Sequence, residues 1–133
     1  MSFKLEIVSP ASKVFEGEVK SVSIPGTLGN FQVLKNHAPM ISTFTVGKIK
    51  IENHTGTLEF STGGGVFEVK NNNAIVLAES IESKEEINLE RAKRSKIRAE
   101  ELLKSSDLSS QEKEDAKFAL QRAINRLKFI EKN

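Results

Sequence analysis

The sequence predicts an α+β protein, with an N-terminal antiparallel β-sandwich or barrel over residues 1–83 and a C-terminal antiparallel two-helix hairpin over 84–133. Three distributions support this. All eight glycines and all three prolines precede position 66, sixteen of the twenty Ile and Val residues precede position 87, and no valine follows Val76. β-Branched residues punctuated by turn formers favour sheet, whereas a Gly- and Pro-free stretch rich in Ala, Leu, Glu, Lys and Arg favours helix. Charge divides at the same place: residues 1–86 hold 8 Lys+Arg against 10 Asp+Glu, and residues 87–133 hold 12 against 8.

The strands follow from period-2 alternation. Phe3-Leu5-Ile7, Val22-Ile24, Phe31-Val33, Ile49-Ile51, Leu58-Phe60 and Phe67-Val69 each place apolar side chains on one face. Turn signals at Pro25-Gly26, Val46-Gly47, His54-Thr55-Gly56 and Asn71-Asn72-Asn73 recur at strand-plus-turn spacing, and no helical stretch interrupts them to make a parallel crossover. Ala74 to Ala78 is continuously apolar and predicts a strand buried on both faces that closes the sandwich.

The helices follow from caps and seams. Ser83/Glu86 and Ser109/Glu112 have capping-box spacing, and Asn88 is an alternative cap for a first helix running to about Lys104. Leu89, Ala92, Ser95, Ala99 and Leu102 form its apolar stripe. The second helix runs from about Gln111 to Glu131, with Ala116, Leu120, Ala123, Leu127 and Ile130 spaced as a coiled-coil seam. A buried methylene contributes about 0.8 kcal/mol and alanine offers one methyl, so the hairpin gains close approach but little hydrophobic free energy. Ile97, Phe118, Ile124 and Phe129 fall off the seam, to lie on the sandwich, on a partner or in water.

Several chemistries are excluded. There is no cysteine, and His37 and His54 are the only histidines, too few for a structural zinc site. The longest apolar run is far short of the roughly 18 residues of a membrane span. The first residues resemble neither a signal nor a transit peptide, predicting a soluble protein in the compartment where it is made. Gly63-Gly64-Gly65 lacks the Lys-Ser or Lys-Thr of a phosphate loop and reads as opening a strand, with a bulge or a close backbone approach. The front part has no aspartate and no Gly-x-Ser-x-Gly elbow, and the pairs Glu85-Glu86 and Glu100-Glu101 read as solvated faces, so no catalytic set is predicted.

The arginines carry the strongest chemical signal. Arg91, Arg94 and Arg98 fall on one helical stripe, and Arg122 and Arg126 on another. If the helices fold together, the stripes can converge on one anion, with guanidinium forks suited to phosphate oxygens. The competing reading is intrahelical pairing with Glu90, Glu101 and Glu131. Eight interspersed acids and few aromatics in the hairpin speak against nucleic acid, although a stand-alone sandwich with a basic hairpin binding a polyanion is the alternative function.

Val22-Ser23-Ile24-Pro25-Gly26, the block Gly29-Asn30-Phe31-Gln32-Val33-Leu34-Lys35-Asn36-His37-Ala38-Pro39-Met40, Ile87-Asn88-Leu89-Glu90-Arg91-Ala92 and Arg122-Ala123-Ile124-Asn125-Arg126-Leu127 together resemble the epsilon subunit of the F-type ATP synthase, in the family's order over nearly the whole chain. The resemblance implies a non-catalytic rotor-stalk subunit joining the gamma stalk to the c-ring. It would lie peripherally on the cytoplasmic face of a bacterial cell membrane or the stromal side of a thylakoid. The sandwich would dock on gamma and reach the ring through Gly29, Asn30, His37, Ala38 and Pro39. The hairpin, when extended, would meet the beta and alpha subunits and inhibit ATP hydrolysis. It also implies no bound metal or resident cofactor, with ATP as a regulatory ligand at Ile87, Asn88, Arg91, Ala92, Arg98, Arg122 and Arg126. Asn88 stands where the family's motif has aspartate, and Lys35-Asn36 where Pro-Gly is common, which predicts an uncharged cap and a differently shaped loop.

Overall fold

The computed structural model describes residues 2–131. The chain divides between Ser83 and Lys84 into two separately packed units. The first holds β1 (Phe3–Val8), β2 (Lys13–Val19), β3 (Ser21–Gly26), β4 (Gly29–Leu34), β5 (Met40–Asn53), β6 (Gly56–Lys70), β7 (Asn73–Ala78) and β8 (Ile81–Glu82). Strand order is β2-β1-β7-β6-β5-β3-β4, with β8 on β6.

β5 and β6 organise the sandwich. They pair without a register break from Met40↔Val69 to Asn53↔Gly56, and 14 residues at about 3.4 Å each span roughly 45 Å, more than a single small layer needs. The C-terminal end of β6 carries β7 and, beyond it, β1 and β2. The C-terminal end of β5 carries β3 and β4. Between the layers lie Phe3, Leu5, Ile7, Val19, Val22, Ile24, Val33, Phe44, Ile49, Ile51, Phe67, Val69 and Val76, all buried. Every member of this core comes from residues before Ser83.

The structure corrects four expectations in the sandwich. Val46-Gly47 is not a turn but lies inside β5; Gly47 is needed there because a Cβ would meet the Pro25 ring at 2.7 Å. Gly63-Gly64-Gly65 lies inside β6 rather than opening a strand. Gly64 has φ +107° with the Phe44 carbonyl oxygen 3.1 Å from where a Cβ would stand, so the close-approach reading of the glycines holds. Ala74 to Ala78 is not buried on both faces: Ala74, Val76 and Ala78 point inward while Leu77 is 48% exposed. Nor is the pairing antiparallel throughout, because β7 sits between β6 and β1 and pairs with β1 in parallel. The intervening sandwich strands supply the crossover a parallel pair requires, so no helix is needed. Leu58 is also exposed, near the end of the β5–β6 ribbon.

The second unit is the hairpin of α1 (Leu89–Leu103) and α2 (Ser110–Glu131). Ser83 and Glu86 do not start a long helix; a single 3-10 turn at Lys84–Glu86 comes first. Asn88 is the cap, with its Oδ1 accepting the Arg91 backbone N–H at 3.0 Å. The second capping box forms in full: the Glu112 N–H donates to Ser109 Oγ, and the Ser109 N–H to Glu112 Oε1, both at 3.1 Å. The Ser109 backbone and side-chain bonds hold the Glu112 carboxyl below its ordinary value.

The sign follows from that depression. The capping contribution is present above the unfolded glutamate value of about 4.3 and is lost as pH falls through the lower folded value. An NMR titration should find the Glu112 midpoint below the ordinary range, and Ser109→Ala should move it upward. A Glu112 midpoint within the ordinary glutamate range in the unsubstituted chain would refute the capping assignment, since the Ser109 backbone N–H is the main cause of the depression.

The hairpin seam is made of alanines. Ala92, Ala99, Ala116 and Ala123 are buried, Ser95, Leu120, Leu127 and Ile130 are half-buried, and Leu89 and Leu102 are exposed. The predicted α1 stripe therefore fails at both ends, because a seam through Ala92 and Ala99 continues four residues on to Leu103, not three to Leu102. Of the off-seam residues, Phe129 is buried and Ile124 half-buried, while Ile97 and Phe118 remain exposed.

Candidate functional site

The anion-binding candidates of the two helices fall on the same side of the hairpin when each helix is turned so that its buried alanines face the other. Buried alanines seven apart on antiparallel helices, joined through a short connection, bring Ala99 level with Ala116 and Ala92 level with Ala123. At ~100° per residue, Arg91 and Arg98 then point roughly 90–110° to one side of the seam, and Arg122 and Arg126 roughly 70–110° to that same side. Arg91 falls between the levels of Arg122 and Arg126, within about 3 Å of rise of each. Arg98 lies farther along, about 7 Å of rise from Arg122. By this helical geometry Arg91, Arg122 and Arg126 are nearest one another along the flank, with Arg98 at its margin. Ala92 lies in the seam floor, and Asn88 and the half-buried Ile87 lead into the start of α1.

Two further facts bear on this flank. The asparagine departure preserves the cap geometry, since Asn88 accepts the Arg91 N–H as an aspartate would, but without charge. The Arg122 guanidinium lies over the Phe118 ring, 5.4 Å from its centroid, a contact that sequence spacing alone did not single out.

A second candidate site is the outer face of the sandwich. Register aligns Thr43, Val66, Leu77 and Val8 in one row across β5, β6, β7 and β1, and Ile41, Glu68, Ile75 and Glu6 in the next. Residues aligned in this way share a face, and Ile41, Val66 and Leu77 are 72%, 37% and 48% exposed. A clustered apolar face marks an interaction surface, unlike the scattered exposed leucines elsewhere. Along the β2 edge it is bordered by charges: Lys13 bridges Glu6 at 2.7 Å and Glu16 at 3.3 Å, and Lys4 bridges Glu16 at 3.4 Å.

The five residues predicted for stalk and ring contact do not form one loop. Gly29 and Asn30 flank the Thr27-Leu28 hairpin tip, whereas His37, Ala38 and Pro39 join β4 to β5, roughly 17 Å of strand away. Both groups border the apolar outer face, at opposite ends. At the tip, Thr27 Oγ1 lies 3.3 Å from Thr43 Oγ1, and Leu28 is fully exposed. At the other end the Asn36 N–H donates to Asn72 Oδ1 at 2.7 Å and Asn72 Nδ2 donates to Asn36 Oδ1 at 3.0 Å, tying the loop to the β6–β7 turn. Asn36 has φ +66°, the left-handed conformation a glycine would supply, so Lys35-Asn36 keeps a tight turn there. The His37 Nδ1–H donates to the Ala38 carbonyl at 2.7 Å, which sets the ring's tautomer.

Among the described residues no group of three His, Cys, Asp or Glu is arranged to hold a metal ion, and no helix is long and apolar enough to cross a membrane.

Comparison with known proteins places this geometry. Residues 2–84 match the family described as ATP synthase, Delta/Epsilon chain, beta-sandwich domain, and residues 85–131 the corresponding long alpha-helix domain. The chain is 38% identical to the ATP synthase epsilon chain of Desulforamulus reducens over 96% of each chain. It is 36% identical to that of Caldicellulosiruptor bescii, over 98% of this chain and 95% of the relative. Its fold is similar to a chain in the Euglena gracilis mitochondrial ATP synthase, with TM-score 0.81 at 17% identity over 93% of this chain and 78% of that one. A chain of the Tetrahymena thermophila mitochondrial ATP synthase central stalk and c-ring gives TM-score 0.64 at 15% identity over 96% and 95%. With both domains matched in order and relatives aligned along nearly their full length, the chain belongs to the ATP synthase delta/epsilon family, as an epsilon chain.

Proposed function

We propose that the chain is a non-catalytic subunit of the synthase's central stalk, coupling gamma to the c-ring and carrying in its hairpin a nucleotide-biased brake on ATP hydrolysis. Its place is peripheral, on the cytoplasmic face of a bacterial cell membrane. The observation that carries the reading is the hairpin itself, whose fully buried seam positions are the four alanines Ala92, Ala99, Ala116 and Ala123; helical geometry puts arginines of both helices on one flank of that seam. The fully buried alanines add only one methyl each, and Leu120, Leu127 and Ile130 are only half-buried, so on this reading the packed and extended forms differ by few kcal/mol and a ligand with differential affinity can choose between them. ATP bound across Arg91, Arg122 and Arg126 would favour the packed form by RT ln(1 + [L]/Kd). An acidic surface on the beta or alpha subunits would favour the extended one. Isothermal titration of the full chain with ATP should saturate by millimolar concentrations, and Arg91→Ala with Arg126→Ala should weaken binding tenfold or more. Absence of saturation in the unsubstituted chain refutes the nucleotide part.

The sandwich's apolar outer face is the proposed seat of gamma, with His37, Ala38 and Pro39 at one end of the contact. The Leu28 tip with Gly29 and Asn30 projects at the other end, where the ring would be met. A charge buried unpaired in such an interface costs several kcal/mol. Val66→Lys should therefore reduce co-purification with gamma at least a hundredfold in apparent affinity, while Lys50→Ala on the opposite layer leaves it unchanged. Unaltered binding by Val66→Lys would place the docking face elsewhere.

A further inference from the structure

We infer that Phe118 is a positioning residue for the anion site, holding the Arg122 guanidinium on its ring so that the fork is presented to a phosphate. This rests on the proposed nucleotide role of the arginine flank. Phe118 stands one turn before Arg122 on α2, the i, i+4 spacing that lets two side chains meet. The 5.4 Å from guanidinium carbon to ring centroid lies within cation–π range. Stacking occupies the face of the guanidinium, whereas its five N–H donors lie in the plane and point outward from its rim. One group can therefore rest on the ring and bind phosphate oxygens at the same time.

The contact also accounts for an aromatic side chain that is 40% exposed on a helix whose seam does not use it. A free arginine carries large rotamer entropy, and three cations gathered on one flank repel one another. The ring's negative face offsets some of that repulsion and restricts the rotamers before the ligand arrives, which is how preorganisation raises affinity.

The test is a double-mutant cycle on the full chain with ATP as the probe. Phe118→Leu keeps an apolar side chain of similar size but removes the π face, and should weaken ATP binding about threefold to tenfold. Phe118→Tyr should restore it, and Phe118→Leu should add nothing in an Arg122→Ala background. The stack is read separately without ligand: the Arg122 side-chain protons should be shifted upfield by the ring current and lose that shift in Phe118→Leu. Equal binding by the unsubstituted chain and Phe118→Leu, or the same loss in the Arg122→Ala background, overturns the inference and leaves the nucleotide reading standing. No saturation in the unsubstituted chain overturns both. Absence of the upfield shift overturns the stack itself.

Discussion

Gly65→Ala is expected to destabilise the sandwich by about 3 kcal/mol or more, the upper end of what an overpacked site costs. A Cβ at that position would stand 2.0 Å from the Leu77 carbonyl oxygen, 3.0 Å from Ala78 Cα and 2.9 Å from the Phe44 ring. Two of these obstacles are the backbone of the neighbouring strand, which cannot rotate away as a side chain tip can. Relief requires moving β7 from β6, breaking the ladder that links Gly65↔Ala78 through Lys70↔Asn73. Phe44 is itself buried, so the ring has no vacant space to enter. Typical domains hold only about 5–15 kcal/mol in total, so the loss is a large share. Gly17→Ala is the matched control: its Cβ would meet only the Phe15 ring, at an ordinary 3.6 Å. Urea unfolding should show Gly65→Ala with a midpoint lower by about 1 M or more, given slopes of about 1–3 kcal/mol per M, and Gly17→Ala with a small change. Equal midpoints would show that β6 and β7 can separate at no cost.

Removing the hairpin after Ser83 is expected to raise ATP hydrolysis by the assembled synthase about fivefold or more, the lower range of ordinary allosteric couplings. The truncated chain should still fold, because every residue of the sandwich core precedes Ser83. It should also still bind gamma, because Ile41, Val66 and Leu77 remain. The measurement is the ATPase rate of the reconstituted complex with and without residues 84–133, at matched occupancy of the subunit. If occupancy is retained and the rate does not rise, the hairpin is not a brake. If occupancy falls, the hairpin contributes to assembly and the docking face is larger than the sandwich.

The legible parts of the molecule were those governed by local physics. Phe3, Leu5 and Ile7 alternate in sequence and all three face the core. Ser109 and Glu112 sit at capping-box spacing and form both bonds of the box. Each depends only on neighbours within a few residues, where period and hydrogen-bond geometry leave few choices. Sequence pattern and structure part company where a distant segment decides. Gly47 has the look of a turn, yet it is a gap for the Pro25 ring inside an unbroken strand. Leu102 has the look of a seam residue, yet the partner helix draws the seam to the next position.

The candidate sites divide in the same way. That arginines recur at helical spacing on both halves of the hairpin is written in the chain. Whether they share a flank depended on how two alanine seams align, which neither helix specifies alone. The sequence groups the residues flanking the Thr27-Leu28 tip with the His37 loop as one contact, whereas β4 holds them apart at opposite ends of an apolar face whose members come from β5, β6 and β7. Order of elements, caps and inward faces were thus set by the linear pattern of residues, because they are short-range. The outer face, the glycine cleft beneath Leu77 and the convergence of Arg91 with Arg122 and Arg126 came only from strand register and helix alignment. Those are settled by burial between segments far apart in the chain.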